Sequence, residues 1–154
     1  MEDIIKLAKQ RAGRFGVRTV VVATNTGTSA EHALGAFGQG YRIIAAGNSA
    51  SAHERGLVRH KGISEETKAR LQQKGIQVAL AGQFFVQKYF DHSVESRGSL
   101  PELNERMWSQ NPFPLEAVLC NTLDWFCDST RVCIEICCLA ADAGVLSVDQ
   151  DCIC

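Results

Sequence analysis

Three short and almost entirely apolar segments, each followed by a helical pattern, restrict the fold of this chain more than any other feature. The segments are RTVVVAT (18–24), YRIIAAG (41–47) and IQVALAG (76–82). A strand with no polar alternation is typical of a sheet that is covered on both faces. Strands of this kind separated by helices indicate a parallel sheet between two helical layers. The sequence therefore predicts an α/β three-layer sandwich with a mostly parallel sheet.

Helical spacing of apolar residues fills the segments around these strands. It is seen in residues 4–15, in residues 29–37, and after Ser64, which begins a capping signature and precedes a helix that should stop at Gly75. Three later segments also have helical patterns: FFVQKYF (84–90), LEAVLCNTLDWF (115–126) and VCIEICCLAADAG (132–144). The final residues, DQDCIC, begin another strand. At 154 residues, the chain is predicted to form one domain over residues 1–154.

The charge balance argues against two classes of partner. Lys plus Arg number 16 and Asp plus Glu number 17, so the chain has no strong overall field for nucleic acid or an anionic membrane. No apolar run has the length of a membrane span, and the charged segment MEDIIKLAKQRAGRFG differs from a secretory signal. We therefore expect a cytoplasmic protein with no nucleic-acid and no membrane partner.

The seven cysteines all lie at or after Cys120. An odd number confined to one end of the chain does not fit a disulfide framework. Cys133, Cys137 and Cys138 interrupt an apolar helical segment, where cysteine acts as a small hydrophobe. Cys152 and Cys154 form a C-x-C pair that suits a soft metal, but no second ligand pair has zinc spacing. The prediction is buried thiols and no metal.

A hydroxyl-rich turn joins the first predicted strand to the next helix. It consists of Thr24, Asn25, Thr26, Gly27, Thr28 and Ser29. Gly27 would let the backbone come close to a ligand, while the amide groups of the following helix start and the loop hydroxyls would donate to an anion such as phosphate. The loop holds no cation, so one would have to come from elsewhere. The candidates are Arg42, Arg55 and Lys61.

Ordinary turn chemistry is the other interpretation of the same letters. Thr28 or Ser29 could cap the helix while the remaining polar residues form the turn. The loop lacks the GK[ST] of a Walker loop and the G-x-G-x-x-G of a dinucleotide fingerprint. The residues alone leave both interpretations open.

Two stretches resemble a known family. TVVVATNTGTSAEHAL (19–34) resembles the strand, glycine loop and helix of the pyruvate kinase C-terminal domain, in which a comparable loop receives a phosphate of a sugar bisphosphate. RVCIEICCLAADAGVLSVDQD (131–151) is similar to a segment of small stand-alone archaeal and bacterial proteins with that α/β domain. Their pattern is V-C-V-E-x-x-x-x-A-A-D-A-G-x-x-x-V. The resemblance covers nearly the whole chain.

The resemblance implies a cofactor and a site. Members of the stand-alone family hold FMN, which implies an FMN phosphate in the Thr24–Ser29 loop. Gly47 and Gly82 end the other two predicted strands, at the edge where ligands of parallel sheets bind, and complete the predicted cofactor site. The sequence departs from the family in its apolar residues before Gly82 and in the segment His53-Glu54-Arg55. Family members also continue beyond the equivalent of VDQDCIC into a glycine-rich turn and a last strand. The resemblance therefore implies either a truncated chain with an open sheet edge or an edge that a partner covers.

Two carboxylates interrupt the apolar segment near the end of the chain. Glu135 and Asp142 lie seven residues apart, on one helical face, and Arg131 precedes Glu135 by four. A pocket carboxylate pair is one interpretation, and the solvent-facing stripe of a sheet-packing helix is the one we favour.

These observations lead to three hypotheses. The first is a binding module for a phosphorylated small molecule, without the activity of pyruvate kinase, whose chemistry belongs to a separate barrel domain. The second is an enzyme, flavin-dependent or acting on a phosphorylated metabolite, with His53 or Glu135 near the phosphate. The third is an interaction protein or homo-oligomer that pairs through an open sheet edge.

Overall fold

The computed structural model describes residues 2–48, 61–81, 119, 122–123 and 125–154. The chain divides into two compact units: Met1–Gln83 together with Val132–Cys154, and Phe84–Arg131. The prediction of a single domain over residues 1–154 stays a prediction. The predicted helix at 84–90 and most of the predicted helix at 115–126 lie outside the described residues.

The described elements alternate between helix and strand, as the sequence predicts. In chain order they are α1 (Glu2–Phe15), β1 (Thr19–Ala23), α2 (Thr28–Phe37), β2 (Arg42–Asn48), α3 (Glu65–Gln73), β3 (Gln77–Ala81), α4 (Asp128–Asp142) and β4 (Cys152–Ile153). The α/β fold class is confirmed.

The described strands form one all-parallel sheet in the order β3-β2-β1-β4. β1 pairs with β2 over five positions, from Thr19 opposite Arg42 to Ala23 opposite Ala46. β4 pairs with the other side of β1 at two positions only, Thr19 with Cys152 and Val20 with Ile153. The chain thus moves outward from β1 to β3 and then returns to the far side of β1.

Each face of the sheet is covered by its own set of helices. One buried cluster joins α1, α2 and α3 to the sheet and includes Ala12, Ala33, Phe37 and Leu71. The opposite face carries a second cluster in which Ile136 and Ala140 of α4 pack on the sheet. The reversal in strand order and the change of face occur together, as expected when all crossovers have one hand. The molecule is therefore a three-layer sandwich.

Local signals in the sequence set several helix ends. The Ser64 hydroxyl accepts a hydrogen bond from the Thr67 amide at 3.1 Å, so it caps α3 as predicted. Gly16 and Gly75 follow α1 and α3 with φ of 69° and 78°, the left-handed conformation that favours glycine. α4 begins four residues before the predicted start, because the Cys127 sulfur accepts a hydrogen bond from the Thr130 amide at the helix start.

None of the helices that the structure describes combines the length and apolar character that a membrane crossing requires.

Candidate functional site

The loop after β1 lies at the carboxyl edge of the sheet, beside the point where the strand order reverses. The Thr24 amide still donates to the Ala46 carbonyl of β2 at 3.0 Å, so the loop starts from a well-held position. β2 lies on one side of β1 and the short β4 on the other. In open parallel sheets the crevice at such a reversal is the usual place for a ligand.

A hydrogen bond from the backbone to a hydroxyl shapes the turn itself. The Thr24 hydroxyl is buried and accepts from the Gly27 amide at 2.9 Å. Gly27 has φ of 88°, in the left-handed region where a Cβ is strained. One of the loop's hydroxyls therefore serves turn chemistry, which is part of the alternative interpretation of the sequence.

The start of α2 has no side-chain cap. Gly27 is the N-cap residue, and its helix has no hydrogen bond from a first-turn amide to a capping side chain. The interpretation in which Thr28 or Ser29 caps the helix is therefore wrong. The physical reason is the left-handed turn at Gly27, which moves the helix start to Thr28. The hydroxyls of Thr26 and Thr28 lie 3.1 Å apart on the exposed side. Helix-start amides without a cap remain available to an anion.

Gly47 has a structural role that explains its place beside the loop. A Cβ built on Gly47 would collide with the carbonyl oxygen of Thr24 and lie 3.0 Å from the Cδ1 atom of Ile63. The end of β2 can therefore approach the loop only without a side chain at this position. Gly82, the other glycine of the predicted cofactor site, lies outside the described residues.

A cation from α3 lies against the loop. The Arg70 guanidinium donates to the Thr26 carbonyl at 2.7 Å, and its Nη2 atom would be 2.9 Å from a Cβ on Gly27. Its Nε donates to the Glu31 carboxylate of α2 at 3.1 Å, and the Lys74 ammonium reaches the same carboxylate oxygen at 2.9 Å. Two cations and one carboxylate thus leave a net positive charge at the side of the loop.

The Glu31 carboxylate limits this positive charge. The hydrogen bond from Lys74, together with the charges of Lys74 and Arg70, lowers its pKa below the ordinary value of 4.5, so it is an anion at neutral pH. An incoming phosphate would compete with Glu31 for Arg70. Arg70 could not be recognised in the sequence, because 39 residues separate it from Glu31 and no short motif links the two.

The cations proposed from the sequence lie elsewhere or outside the described residues. Arg42 lies at the amino end of β2, where its guanidinium donates to Gln77 at 2.6 Å, to Gln150 at 3.3 Å and to the Val145 carbonyl. It joins β2 and β3 to the segment before β4, at the opposite edge from the loop. Lys61 is exposed. His53 and Arg55 are not among the described residues.

The two carboxylates of α4 differ in their environment. Asp142 is exposed, as predicted for a solvent-facing stripe, but Glu135 is buried at 8% exposure, so that prediction is wrong for Glu135. Seven residues turn the helix by about 700°, 20° short of two turns, so Glu135 and Asp142 do lie on one face. They nevertheless differ in exposure. Arg131 forms an ion pair with Asp128.

The thiols are less buried than the sequence analysis predicts. Cys133, Cys137 and Cys138 of α4 are half-buried, and Cys154 is exposed. α4 packs on the sheet through Ile136 and Ala140, and Cys137 is partly buried against the same cluster. Within the described ranges, no group of three or more His, Cys, Asp and Glu residues has an arrangement suited to a metal ion.

Comparison with known proteins leaves the family open. No protein-family model matches the chain, and no curated protein matches it either. The resemblance to the pyruvate kinase C-terminal domain, with the FMN it implies, therefore stays a prediction.

Proposed function

We propose that this protein binds a phosphate-bearing small molecule, with FMN as the named candidate, and holds its phosphate at the Thr24–Ser29 loop. The observation that carries the proposal is the uncapped start of α2 at the carboxyl edge of β1, where the strand order reverses. The amides of a helix start and its dipole favour an anion, and the strand reversal leaves a crevice for the rest of a ligand.

The neighbouring groups support a phosphate over a neutral ligand. Thr26 and Thr28 supply exposed hydroxyls, and Arg70 supplies the cation that the loop itself lacks. A planar guanidinium can donate two parallel hydrogen bonds to a phosphate. Arg70 already spans Thr26 and Glu31, so it needs only a small side-chain movement to reach an anion at the loop.

A calorimetric titration with FMN and with riboflavin tests the proposal directly. Riboflavin carries the same ring and ribityl chain but no phosphate, so the ratio of the two affinities isolates the phosphate contribution. Hydrogen bonds to a charged group contribute about 1.5–3 kcal/mol each, so FMN should bind at least about tenfold more tightly than riboflavin. The absorption spectrum of the freshly purified protein provides an independent check for retained flavin.

Two arginine and lysine variants locate the phosphate. Arg70→Gln should weaken FMN binding about tenfold and leave riboflavin binding unchanged, because only the phosphate interaction is removed. Lys74→Gln is the matched control, since Lys74 lies one helical turn away and contacts Glu31 but not the loop. The triple change of Thr26, Thr28 and Ser29 to alanine should abolish the preference for FMN. Equal affinities for FMN and riboflavin in the unmodified protein would refute a phosphate site at this loop.

The sheet also favours a second function, in protein interaction. β1 pairs with β4 at two positions but with β2 at five, so the carboxyl half of β1 has no strand partner on the β4 side within the described residues. An extended segment of another chain could pair there by strand addition. Size-exclusion chromatography with light scattering distinguishes this function, which predicts a stable oligomer or complex, from small-molecule binding by a monomer.

A further inference from the structure

Cysteines from α4 and β4 meet beside the sheet, although they are far apart in the sequence. The Sγ atoms of Cys137 and Cys152 lie 3.6 Å apart, in a hydrogen-bond contact in which either thiol can be the donor. Cys133 precedes Cys137 by one helical turn, and Cys154 follows Cys152 by two positions. All four residues belong to the first compact unit.

Cys137 is at the centre of this thiol cluster, defined as Cys133, Cys137, Cys152 and Cys154. Its thiol donates a hydrogen bond to the Cys154 sulfur, and the hydrogen bonds from Cys137 and Cys133 lower the pKa of Cys154 to about 6. The same interaction and burial raise the pKa of Cys137. Cys154 is therefore the group that ionises first, and it is also the exposed one.

We propose that Cys154 and Cys137 are the attacking and resolving thiols of a redox-active dithiol that small-molecule disulfides, such as oxidised glutathione, convert into an intramolecular disulfide. Cys154 is exposed to the oxidant. Cys137 contacts Cys152 of β4 and hydrogen-bonds with Cys154, which follows the strand. The inference rests on thiol geometry and does not depend on the proposed phosphate site.

The reaction is an ordinary pair of thiol–disulfide exchanges. The Cys154 thiolate attacks one sulfur of the small disulfide, forms a mixed disulfide and releases one small thiolate. That thiolate takes the proton of Cys137, and the resulting Cys137 thiolate attacks the Cys154 sulfur and releases the second small thiolate. The protein loses two electrons and two protons, and the small disulfide is reduced to two thiols.

The product would join α4 to β4 covalently. A disulfide needs its sulfur atoms about 2.05 Å apart, so thiols already in hydrogen-bond contact require only a small approach. β4 is otherwise held to β1 by pairing at two positions. Oxidation would thus hold this short edge strand in place, and reduction would release it.

Disulfide mapping of the full chain under a series of oxidised and reduced glutathione ratios tests the proposal. No Lys or Arg follows Arg131, so trypsin leaves residues 132–154 as one peptide, and an Asp-specific protease then separates residues 132–141 from residues 151–154. A disulfide between Cys137 and Cys154 keeps these two fragments linked, and fragmentation of the linked pair in the mass spectrometer shows whether Cys152 or Cys154 carries the bond. The exposed Cys127, whose pKa is lowered by hydrogen bonds from Thr130, reports that the oxidant is active.

Three serine variants assign the roles. Cys137→Ser should abolish the linked fragments and leave Cys154 as a mixed disulfide with glutathione. Cys138→Ser, a change at the next residue of the same helix, should leave the linkage unchanged. Cys154→Ser should abolish this disulfide. Linked fragments formed in that variant would contain Cys152 instead and should appear more slowly at pH 7, because the pKa of Cys152 is raised whereas that of Cys154 is lowered to about 6.

Other results would overturn the inference. Mixed disulfides without any linked fragment in the wild-type chain would show that Cys137 does not resolve Cys154. Linkage that survives in Cys137→Ser at the wild-type rate would assign the resolving role elsewhere. A metal that copurifies with the chain and protects these thiols from oxidation would replace the dithiol with a metal site. The wild-type map decides the question even if a variant fails to fold.

Discussion

The hydroxyl-rich loop after β1 and the thiol cluster between α4 and β4 belong to adjacent strands of one sheet, but they are assembled in different ways. The loop's own turn is made within six consecutive residues, with the Thr24 hydroxyl bonded to the Gly27 amide. The thiol cluster brings Cys137 to within 3.6 Å of Cys152, fifteen residues later. The loop could be recognised in the sequence as a site, whereas the cysteines were interpreted there as isolated apolar residues.

The loop and the thiol cluster also differ in how their charges depend on pH. The loop's own donors are amides and hydroxyls, which do not titrate near neutral pH. The thiol cluster changes its protonation near neutral pH, because the pKa of Cys154 is lowered to about 6. We therefore expect the first site to respond to ionic strength and the second to respond to pH and redox conditions.

The largest expected effect is on the packing that supports the loop. Gly47→Ala should lower the free energy of unfolding by about 3 kcal/mol, because the added Cβ collides with the Thr24 carbonyl and the backbone must move. Gly35→Ala is the matched control: no heavy atom lies within 4 Å of its Cβ position in α2, and alanine should stabilise the helix by about 1 kcal/mol. Urea denaturation measures both. Equal stabilities of the two variants would contradict a close contact between Gly47 and the loop.

The second expected effect is a difference between Cys154 and Cys138 in how their alkylation rates depend on pH. The rate of alkylation of Cys154 by iodoacetamide should rise up to about pH 6–7 and then level off, because the thiol is already ionised above its pKa of about 6. Hydrogen bonds from Cys137 and Cys133 lower this pKa. The pKa of Cys152 is raised instead, by burial and by the charges of Cys154 and Asp151. Cys138, whose pKa is raised by burial and by the charges of Asp142 and Glu135, is the internal comparison.

Peptide-resolved mass spectrometry measures both rates in one sample. The rate at Cys138 should keep rising to above pH 9, the ordinary value, because its pKa is raised. Parallel profiles at the two positions would show that the thiol cluster does not acidify Cys154. In Cys137→Ala the plateau of Cys154 should move to higher pH, since the main stabilising hydrogen bond to its thiolate is removed.

The smallest effect concerns the charge beside the loop. Glu31→Gln should strengthen FMN binding about threefold, because it frees Arg70 from a carboxylate that competes with the phosphate. The effect is small because exposed ion pairs are weak in water. Titrations at low and high salt measure the change, which should shrink as salt increases. Glu65→Gln is the control, since Glu65 pairs with Lys68 on the exposed side of α3. Weaker binding in Glu31→Gln would mean that Glu31 positions Arg70 for the ligand.

Within the described residues, the strands, several helix ends and the fold class could be predicted from the sequence. Apolar runs predicted β1, β2 and β3 to within one residue at each end, and Ser64, Gly16 and Gly75 marked helix ends. These features follow from backbone conformations and nearest neighbours, so they can be identified in consecutive letters. The Thr24–Ser29 segment was identified as a turn of special chemistry for the same reason.

Contacts between residues that are far apart in the chain could be identified only in the three-dimensional structure. Arg70 of α3 donates to the loop, and Arg42 donates to the Val145 carbonyl at the opposite edge of the sheet. Cys137 of α4 contacts Cys152 of β4. Sequence spacing predicts contacts within one helix turn or one strand pair, but these contacts depend on how helices pack on the sheet. The strand order β3-β2-β1-β4 was likewise fixed by packing, because four similar apolar strands can satisfy the same sequence pattern in other orders.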